Sequence, residues 1–372
     1  MEKSDENPNI SLLSSALQRN GVFLTQPNRP YVLPLTRSVL RNQSADIIQV
    51  EWIYSYYISD GYTDEKLIDA IITVLRGFLF IIDVIIASQC PTSLVWTVHN
   101  KKHHEKKYPR LEVIAKEVLF VTSDSVTVKC EAARNELVSM YRFAIPEKIH
   151  IVPDGNYIQA YDNGVSKEKS RSELSIEEDT FVFLFFGAIR RYKGIMNLLA
   201  TFERIDNPEA ELWIVGNPND EEIKTEIKHH AGSNENVYTV FEYVKDENVQ
   251  YYMNAADVFI LPYRDILNSG SVHLGISFGL PIVAPQLGCI PEVLAPENEF
   301  LYDPAESDGL IKAIKSALNH QSLDDIGEAN FRRAKKQNWD RTAERLIDVY
   351  NSTIDGGRTI NTGANTCKEK VD

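Results

Sequence analysis

"FVFLFFGAIRRYKG", residues 181–194, decides how the second half of this chain is read. Phe181 to Phe186 is an apolar run too short for a helix and bounded by turn formers, so it reads as a strand buried on both faces. Gly187 lets the backbone turn, and Arg190, Arg191 and Lys193 then crowd against Gly194. A helix through "IMNLLATFERI" would set these cations at a strand's carboxyl end, beside free helix N–H groups that favour anions. Two readings stand at this point, a phosphate-binding loop and a solvated basic turn. The order differs from the Walker loop, whose lysine follows its second glycine.

Outward from this stretch the alternation continues. "ELWIVG" (211–216), a helix over 219–231, "VYTVF" (237–241), a helix around "ENVQYYMNAA", and "DVFILPY" (257–263) come first. A helix from about 270, "LPIVAP" (280–285) and "FLYD" (300–303) follow. Strands alternating with helices imply a parallel sheet covered on both faces. The first half repeats the pattern, with strands at 45–50, 93–100, 118–123 and 148–153 and helices at 10–19, 63–88, 108–116 and 125–139. The expected class is α/β, two Rossmann-like doubly wound domains with a ligand crevice between their strand ends. "DNGVSKEKSRSELSIEED" (162–179) has no apolar period and reads as the linker. One feature departs from the pattern. The chain runs from "MEKSDENPNI" directly into a helix, so the first domain is expected to lack its first strand and to have a vacant slot in its sheet. A late start or a truncated copy would each produce this.

The 372 residues suffice for about two domains, and 43% hydrophobic and 25% charged residues are those of a globular protein with real cores. The net charge of −14 argues against nucleic acid as a partner but leaves room for a local pocket that holds a small anion. Cys90, Cys130, Cys289 and Cys367 are scattered, with no CxxC pair and no metal-ligand spacing, so no metal site is expected. "LIDAIITVLRGFLFIIDVIIAS" (67–88) is long and apolar but contains Asp69, Arg76 and Asp83. Charges at that depth are costly in lipid, which favours a buried or interfacial helix over a spanning one.

"FFGAIRRYKG", "NAADVFILPYRDILNSGS", "SFGLPIVAP" and "GCIPEVL" together resemble the donor-binding half of retaining glycosyltransferases of family four, which have the GT-B fold. "VWTVHNKKHHE" and "IVPDGNY" resemble the first half of a subgroup found in exopolysaccharide and glycolipid assembly. The likeness spans residues 7–352. It implies an acceptor-side domain over 1–160 and a nucleotide-sugar donor domain over 161–337. A terminal helix over 338–354 would cross back to the first domain, and a disordered tail would occupy 355–372. The implied activity is transfer of a hexose from a nucleotide-diphosphate sugar to a lipid-linked or saccharide acceptor. The expected setting is cytoplasmic, with contact to the inner membrane surface through the first domain. No cofactor is implied beyond the nucleotide sugar as co-substrate.

Residue by residue, Gly187 and Lys193 match the donor site, Lys193 standing where the family's lysine contacts the diphosphate. The family's arginine follows the glycine directly, where this chain has Ala188, and Arg190 is its expected replacement by reach. The family's paired glutamates fall at Ile266 and Leu274, neither able to hold a sugar, and Asp265 lies one residue off. In their place the chain offers Asn268, Ser269, Gly270 and Ser271 at a helix start, read either as a diphosphate cradle or as a plain N-cap. Glu292 could orient a sugar hydroxyl. His99, at the end of "LVWTVH", is the catalytic candidate with Asp265, and otherwise an ordinary surface histidine. Asn100, His104, Glu105 and Asn156 are candidates for the acceptor side or cleft, His104 and Glu105 equally a capping cluster and Asn156 equally a turn residue. Cleavage of a sugar–diphosphate bond builds negative charge on the leaving group, which fixed cations and amide donors stabilise, so no metal is required. The rival expectation is an inactive scaffold of the same fold, prompted by the missing strand and the lost glutamates.

Overall fold

In the computed structural model, which describes residues 8–25, 32–58, 66–103 and 108–354, the chain forms two α/β units. One comprises Met1–Asp154 with Trp339–Asp372, the other Gly155–Asn338. The first runs α1 (Pro8–Arg19), α2 (Pro34–Arg41), β1 (Ile47–Val50), α3 (Tyr54–Tyr57), α4 (Lys66–Ala87) and β2 (Ser93–Thr97). It continues with α5 (Pro109–Thr122), β3 (Ser125–Val128), α6 (Glu131–Met140) and β4 (Ile149–Ile151). The second begins with α7 (Lys167–Leu174), β5 (Phe181–Phe186), α8 (Ile195–Phe202), β6 (Ala210–Val215), α9 (Glu221–Ala231), β7 (Val237–Val240) and α10 (Asp246–Ala255). Then come β8 (Val258–Ile260), α11 (Gly270–Ser277), β9 (Ile282–Pro285), α12 (Ile290–Val293), β10 (Leu301–Tyr302), α13 (Gly309–Leu318) and α14 (Leu323–Lys336). The last helix, α15 (Trp339–Thr353), belongs to the first unit.

The first unit's strands pair in chain order, β1-β2-β3-β4, all parallel. The vacant slot expected from the sequence is not there. Each strand is hydrogen-bonded to the next, and among the described residues no strand precedes β1, which pairs with β2 alone. The shortfall therefore falls on the sheet's edge, where it leaves no neighbouring pair unmatched. The α15 helix packs on α1, with Asp340 bonded to Arg19 at 2.7 Å, and the Thr342 hydroxyl donates to the Pro153 carbonyl at 2.9 Å.

Two sequence readings are corrected. "VLFVTS" is the end of helix α5, and the strand follows at Ser125–Val128, inside the stretch read as helix. Ala115, Lys116, Leu119 and Phe120 are buried at helical spacing, a pattern that a short apolar run cannot separate from a strand by composition alone. The supposed linker contains α7, capped by Ser166, whose hydroxyl accepts from Lys169 N at 3.3 Å. No apolar stripe marks this helix because what it buries is Arg171, not a hydrophobe. The Asp257 carboxylate accepts from Arg171 at 2.8 Å, from Lys167 at 2.5 Å and from Val182 N at 2.6 Å, tying α7 to the start of β5.

The second unit's six parallel strands run β10-β9-β8-β5-β6-β7. Phe183, Phe185, Leu198, Leu212, Ile214 and Ile260 are fully buried in its core, each contributing roughly 1.5–3 kcal/mol. From β5 the chain adds β6 and β7 on one side, then returns to add β8, β9 and β10 on the other. The order therefore reverses between β5 and β8, the place at which open parallel sheets generally bind ligands, outside the strands' carboxyl ends.

In α4 the two aspartates are buried and Arg76 is half-buried. Asp83 accepts from Leu35 N and Thr36 N, both at 2.8 Å, which caps α2, Asp69 is buried, and Arg76 reaches the Ser55 carbonyl at 3.5 Å.

Replacing Asp257 by alanine leaves the buried Arg171 guanidinium without its carboxylate, and a loss of about 3 kcal/mol is expected. Urea unfolding followed by circular dichroism checks this, and an unchanged midpoint would show that the pair contributes nothing.

Candidate functional site

The loop after β5 is braced on both sides. Toward β6, Ile189 N donates to Asn217 O at 3.0 Å, and Gly216 (φ +150°) comes so close that a Cβ there would lie 1.9 Å from the Gly187 carbonyl. Toward β8, Gly194 sits at φ +76° with the Pro262 carbonyl 2.0 Å from where a Cβ would stand, and Arg264 N donates to Tyr192 O at 2.9 Å. Only glycine fits these two close approaches. The basic loop is thus held at the point of strand reversal by the ends of both neighbouring strands.

This bracing turns Lys193 inward. Its ammonium lies 5.8 Å from the centre of the Phe185 ring and 5.9 Å from that of Tyr263. It stands 3.5 Å from the position a Cβ on Gly187 would take, and the Ser271 hydroxyl stands at the same 3.5 Å, so both converge over Gly187. Burial, and after it the charge of Arg190, lower the lysine's pKa to about 8. Among the described residues four Lys or Arg side chains are buried: Lys116, Lys129, Arg171 and Lys193. Lys116 pairs with Glu112 at 2.9 Å, Lys129 with Asp154 at 2.7 Å and Arg171 with Asp257 at 2.8 Å, whereas no carboxylate among these residues pairs with Lys193. An uncompensated buried cation costs several kcal/mol, and an anion delivered to it would recover that cost.

Across the crevice the loop after β8 leads into α11. Ser269 holds the N-cap position, yet its side chain makes no capping bond, and its hydroxyl lies 3.0 Å from that of Tyr263. Burial pushes the Tyr263 hydroxyl up, and hydrogen bonds with Ser269 and Ser271 pull it partly back. The Tyr157 hydroxyl lies 3.0 Å from the Cβ position of Gly270, and Tyr157 N donates to Ser277 at 2.8 Å. Tyr157 and Tyr263 were missed by sequence reasoning. Tyr263 ends a segment read only as strand, and Tyr157 lies far from the motif in sequence.

The structure thus groups Gly187, Lys193, Ser269, Gly270 and Ser271. Arg190 is half-buried, its guanidinium donating to Ile189 O at 2.9 Å and Asn217 O at 3.3 Å. Asp265 and Asn268 are half-buried on the loop before α11, and Glu292 is exposed on α12. Ile266 and Leu274, where the glutamates would stand, are buried in the apolar interior. Asn156 is a buried structural residue: its amide donates to Ala334 O at 2.8 Å and its side-chain oxygen accepts from Ile158 N at 3.1 Å.

In the first unit, His99 Nε2 lies 2.5 Å from Glu51, and its ring stacks on Trp52 with centroids 4.1 Å apart and planes 8° from parallel. Burial acts to raise the Glu51 pKa, but the bond and charge of His99, then Lys129, outweigh it and hold the carboxyl below its ordinary value. Gln49 bonds to Glu51, to Thr97 at 3.1 Å and to the Tyr350 hydroxyl, so β1, β2 and α15 all fix the pair. Glu51 was not singled out in the sequence, where nothing local marks it. Asn100 is held through its carbonyl, which accepts from Lys116 at 2.8 Å. His104 and Glu105 lie outside the described residues.

Residues 166–343 match the family described as "Glycosyl transferases group 1". The matched stretch covers most of the second unit and just under half of the chain, so the likeness to that family lies in the second unit. Among relatives, the GDP-mannose:glycolipid 4-beta-D-mannosyltransferase of Xanthomonas campestris pv. campestris is 28% identical over 175 residues, covering 42% of this chain and 50% of that protein. D-inositol 3-phosphate glycosyltransferase 1 of Catenulispora acidiphila is 24% identical over 265 residues, covering 67% of this chain and 62% of its own. This chain spans about half the length of the mannosyltransferases it matches, 50% and 47%. Among solved structures, Anabaena HepE in complex with UDP-glucose superposes with a TM-score of 0.67 at 17% identity, covering 89% of this chain and 85% of that one. Sucrose-phosphate synthase from Thermosynechococcus elongatus gives 0.66 at 17% identity, covering 85% and 75%. The α/β two-unit architecture is that of the GT-B fold.

Gly194→Ala is expected to lower stability by at least about 2 kcal/mol, since it adds strain at positive φ to a backbone clash. Thermal melting checks this, and an unchanged melting temperature would show that the loop relaxes at no cost.

Proposed function

We propose that this chain is a glycosyltransferase that moves a hexose from a nucleotide-diphosphate sugar to a lipid-linked or saccharide acceptor, in polysaccharide, glycolipid or glycan assembly. The observation that carries this reading is Lys193, the one buried cation of the described residues for which no carboxylate partner is seen, set at the strand reversal beside the start of α11, where the Ser269 side chain makes no capping bond. A diphosphate placed there meets the ammonium, the Ser271 hydroxyl and helix N–H groups, which stabilise the leaving group as the glycosidic bond breaks. The anion supplies the missing counter-charge. Arg190 adds to the positive field. His99, held by Glu51 and Trp52, contacts the sugar and its phosphate in this reading, and Asp265 assists at the donor. The reaction needs no metal. Retention of configuration rests on the family resemblance alone, because Ile266 and Leu274 replace the paired glutamates. The setting is cytoplasmic, peripheral on the inner face of the membrane, and nucleic acid is no partner of a chain with a net charge of −14.

Radiolabelled GDP-mannose and UDP-glucose, chosen from the donors named for similar proteins, test the activity with and without EDTA. Turnover of a donor in EDTA supports the reading. Binding of a nucleotide without turnover of any donor in a wider panel would favour the inactive scaffold.

Lys193→Ala is expected to weaken nucleotide affinity and slow transfer by more than about tenfold each. The lysine is charged below its pKa of about 8 and neutral above it, so affinity for UDP or GDP should fall as pH rises through that value. The drop between neutral pH and one unit above the pKa is about tenfold, and it should vanish in the alanine variant. Titration calorimetry reads both effects. Gly270→Val is expected to abolish nucleotide binding in a folded protein, because the added side chain meets the Tyr157 hydroxyl and fills the approach to α11. Retained affinity would return "NSGS" to a plain helix start.

A further inference from the structure

We propose that the outer face of α4, together with the adjoining faces of α2 and α5, seats on the surface of an anionic lipid bilayer. This rests on the lipid-linked acceptor reading above for the reason such a face should exist, but its physical basis is separate. The α4 helix inverts the usual polarity of a surface helix. Its described charges point inward or lie half-buried, as the bonds of Asp83 and Arg76 show, while Leu67, Ile71, Leu75, Phe78, Ile82 and Ile85 are all exposed, Leu75 and Phe78 each at 58%. These six fall at helical spacing along one stripe that runs the length of the helix. Beside it, Leu40 on α2 and Val113, Ile114 and Val121 on α5 are also exposed, and both helices pack on α4. A contiguous apolar face of this extent marks an interaction surface.

The charges at its border choose the occupant. Every described exposed charged side chain on α2, α4 and α5 is an arginine: Arg37, Arg41 and Arg110. Glu117, one turn from Val113 and Val121 on α5, is half-buried and its carboxylate is taken up by the Arg142 and Phe143 amides at 2.9 Å, which leaves the fully exposed charges of these helices of one sign in a chain of net charge −14. It complements anionic lipid headgroups, each arginine adding about fivefold to binding at the surface. Two copies of this chain meeting through the same face would bring like charges together, which opposes self-association. The length and hydropathy of Leu67–Ala87 would also allow a spanning helix. In the fold, however, α4 supplies the cap of α2 through Asp83 and packs on three helices, so it stays with its unit and lies along the interface.

Flotation of the full chain with vesicles of phosphatidylcholine, with and without phosphatidylglycerol and in the absence of any nucleotide, tests the proposal. Binding is expected to the anionic vesicles, to weaken with added salt, and to be released by alkaline carbonate. Leu75→Glu with Phe78→Glu should reduce it at least about tenfold, and Arg37→Glu or Arg41→Glu by about fivefold or more each. Melting temperature and nucleotide affinity, measured on the same variants, confirm that they fold. If the variants of the arginine rim failed to fold, the salt dependence of the unaltered chain would still decide. Vesicle binding by a chain that binds no nucleotide would sink the donor reading and leave this one standing. Failure to float with anionic vesicles would overturn it, as would a dimer in light scattering that Leu75→Glu dissociates, or retention after carbonate, which would make α4 a spanning helix.

Discussion

The second unit depends on the reversal of strand order between β5 and β8. At any other pair of strands the next loop and helix would close over the carboxyl ends. Here the connections leave toward opposite sides of the sheet, the arrangement that in open parallel sheets leaves room for a ligand. Lys193 reaches this opening from one strand and Tyr263, Ser269 and Ser271 from the other, so the positive charge and the amide donors arrive by separate parts of the chain. Neither half is a site alone. The basic loop without α11 is a cation among aromatic rings, and α11 without the loop is a helix start that its own N-cap serine leaves unbonded.

Charge pairing separates scaffold from site more sharply than burial does. Glu112 serves Lys116, Tyr54 and the backbone of His103, which anchors the segment after β2, while Asp154 answers Lys129 at the end of β3. These ions neutralise one another inside the fold and hold backbone in place. Burial lowers the pKa of Lys116 and of Lys193 alike to about 8, so that value alone would not tell an anchor from a binding group. The presence or absence of a carboxylate does.

What was legible in the sequence was local. The strand at Phe181–Phe186, the glycine turn, Lys193 and the helix opening at Gly270 were all readable, because each is written in neighbouring residues. Tyr263 and Glu51 were not, since their roles come from partners on other strands, Ser269 with Ser271 and His99 with Gln49. The strand placed at 118–123 failed because β-branched and aromatic residues also suit a helix that is buried along one side. Helix α7 was hidden in a charged segment because its stability comes from an ion pair, which leaves no hydrophobic period. The expected gap in the first sheet came from assuming that a missing strand is an inner one, whereas β1 simply ends the sheet.

Asp257 gains a further meaning from its position. It binds the amino end of β5 through Val182 N and stands directly before β8, while the carboxyl ends of the same two strands are locked by the contact of Gly194 with Pro262. The two strands at the reversal are therefore pinned at both ends and cannot slide past each other without breaking one clamp. Most of the entropy of arranging Lys193, Tyr263 and the serines of this loop is lost when the chain folds, so their relative positions are set before any ligand arrives.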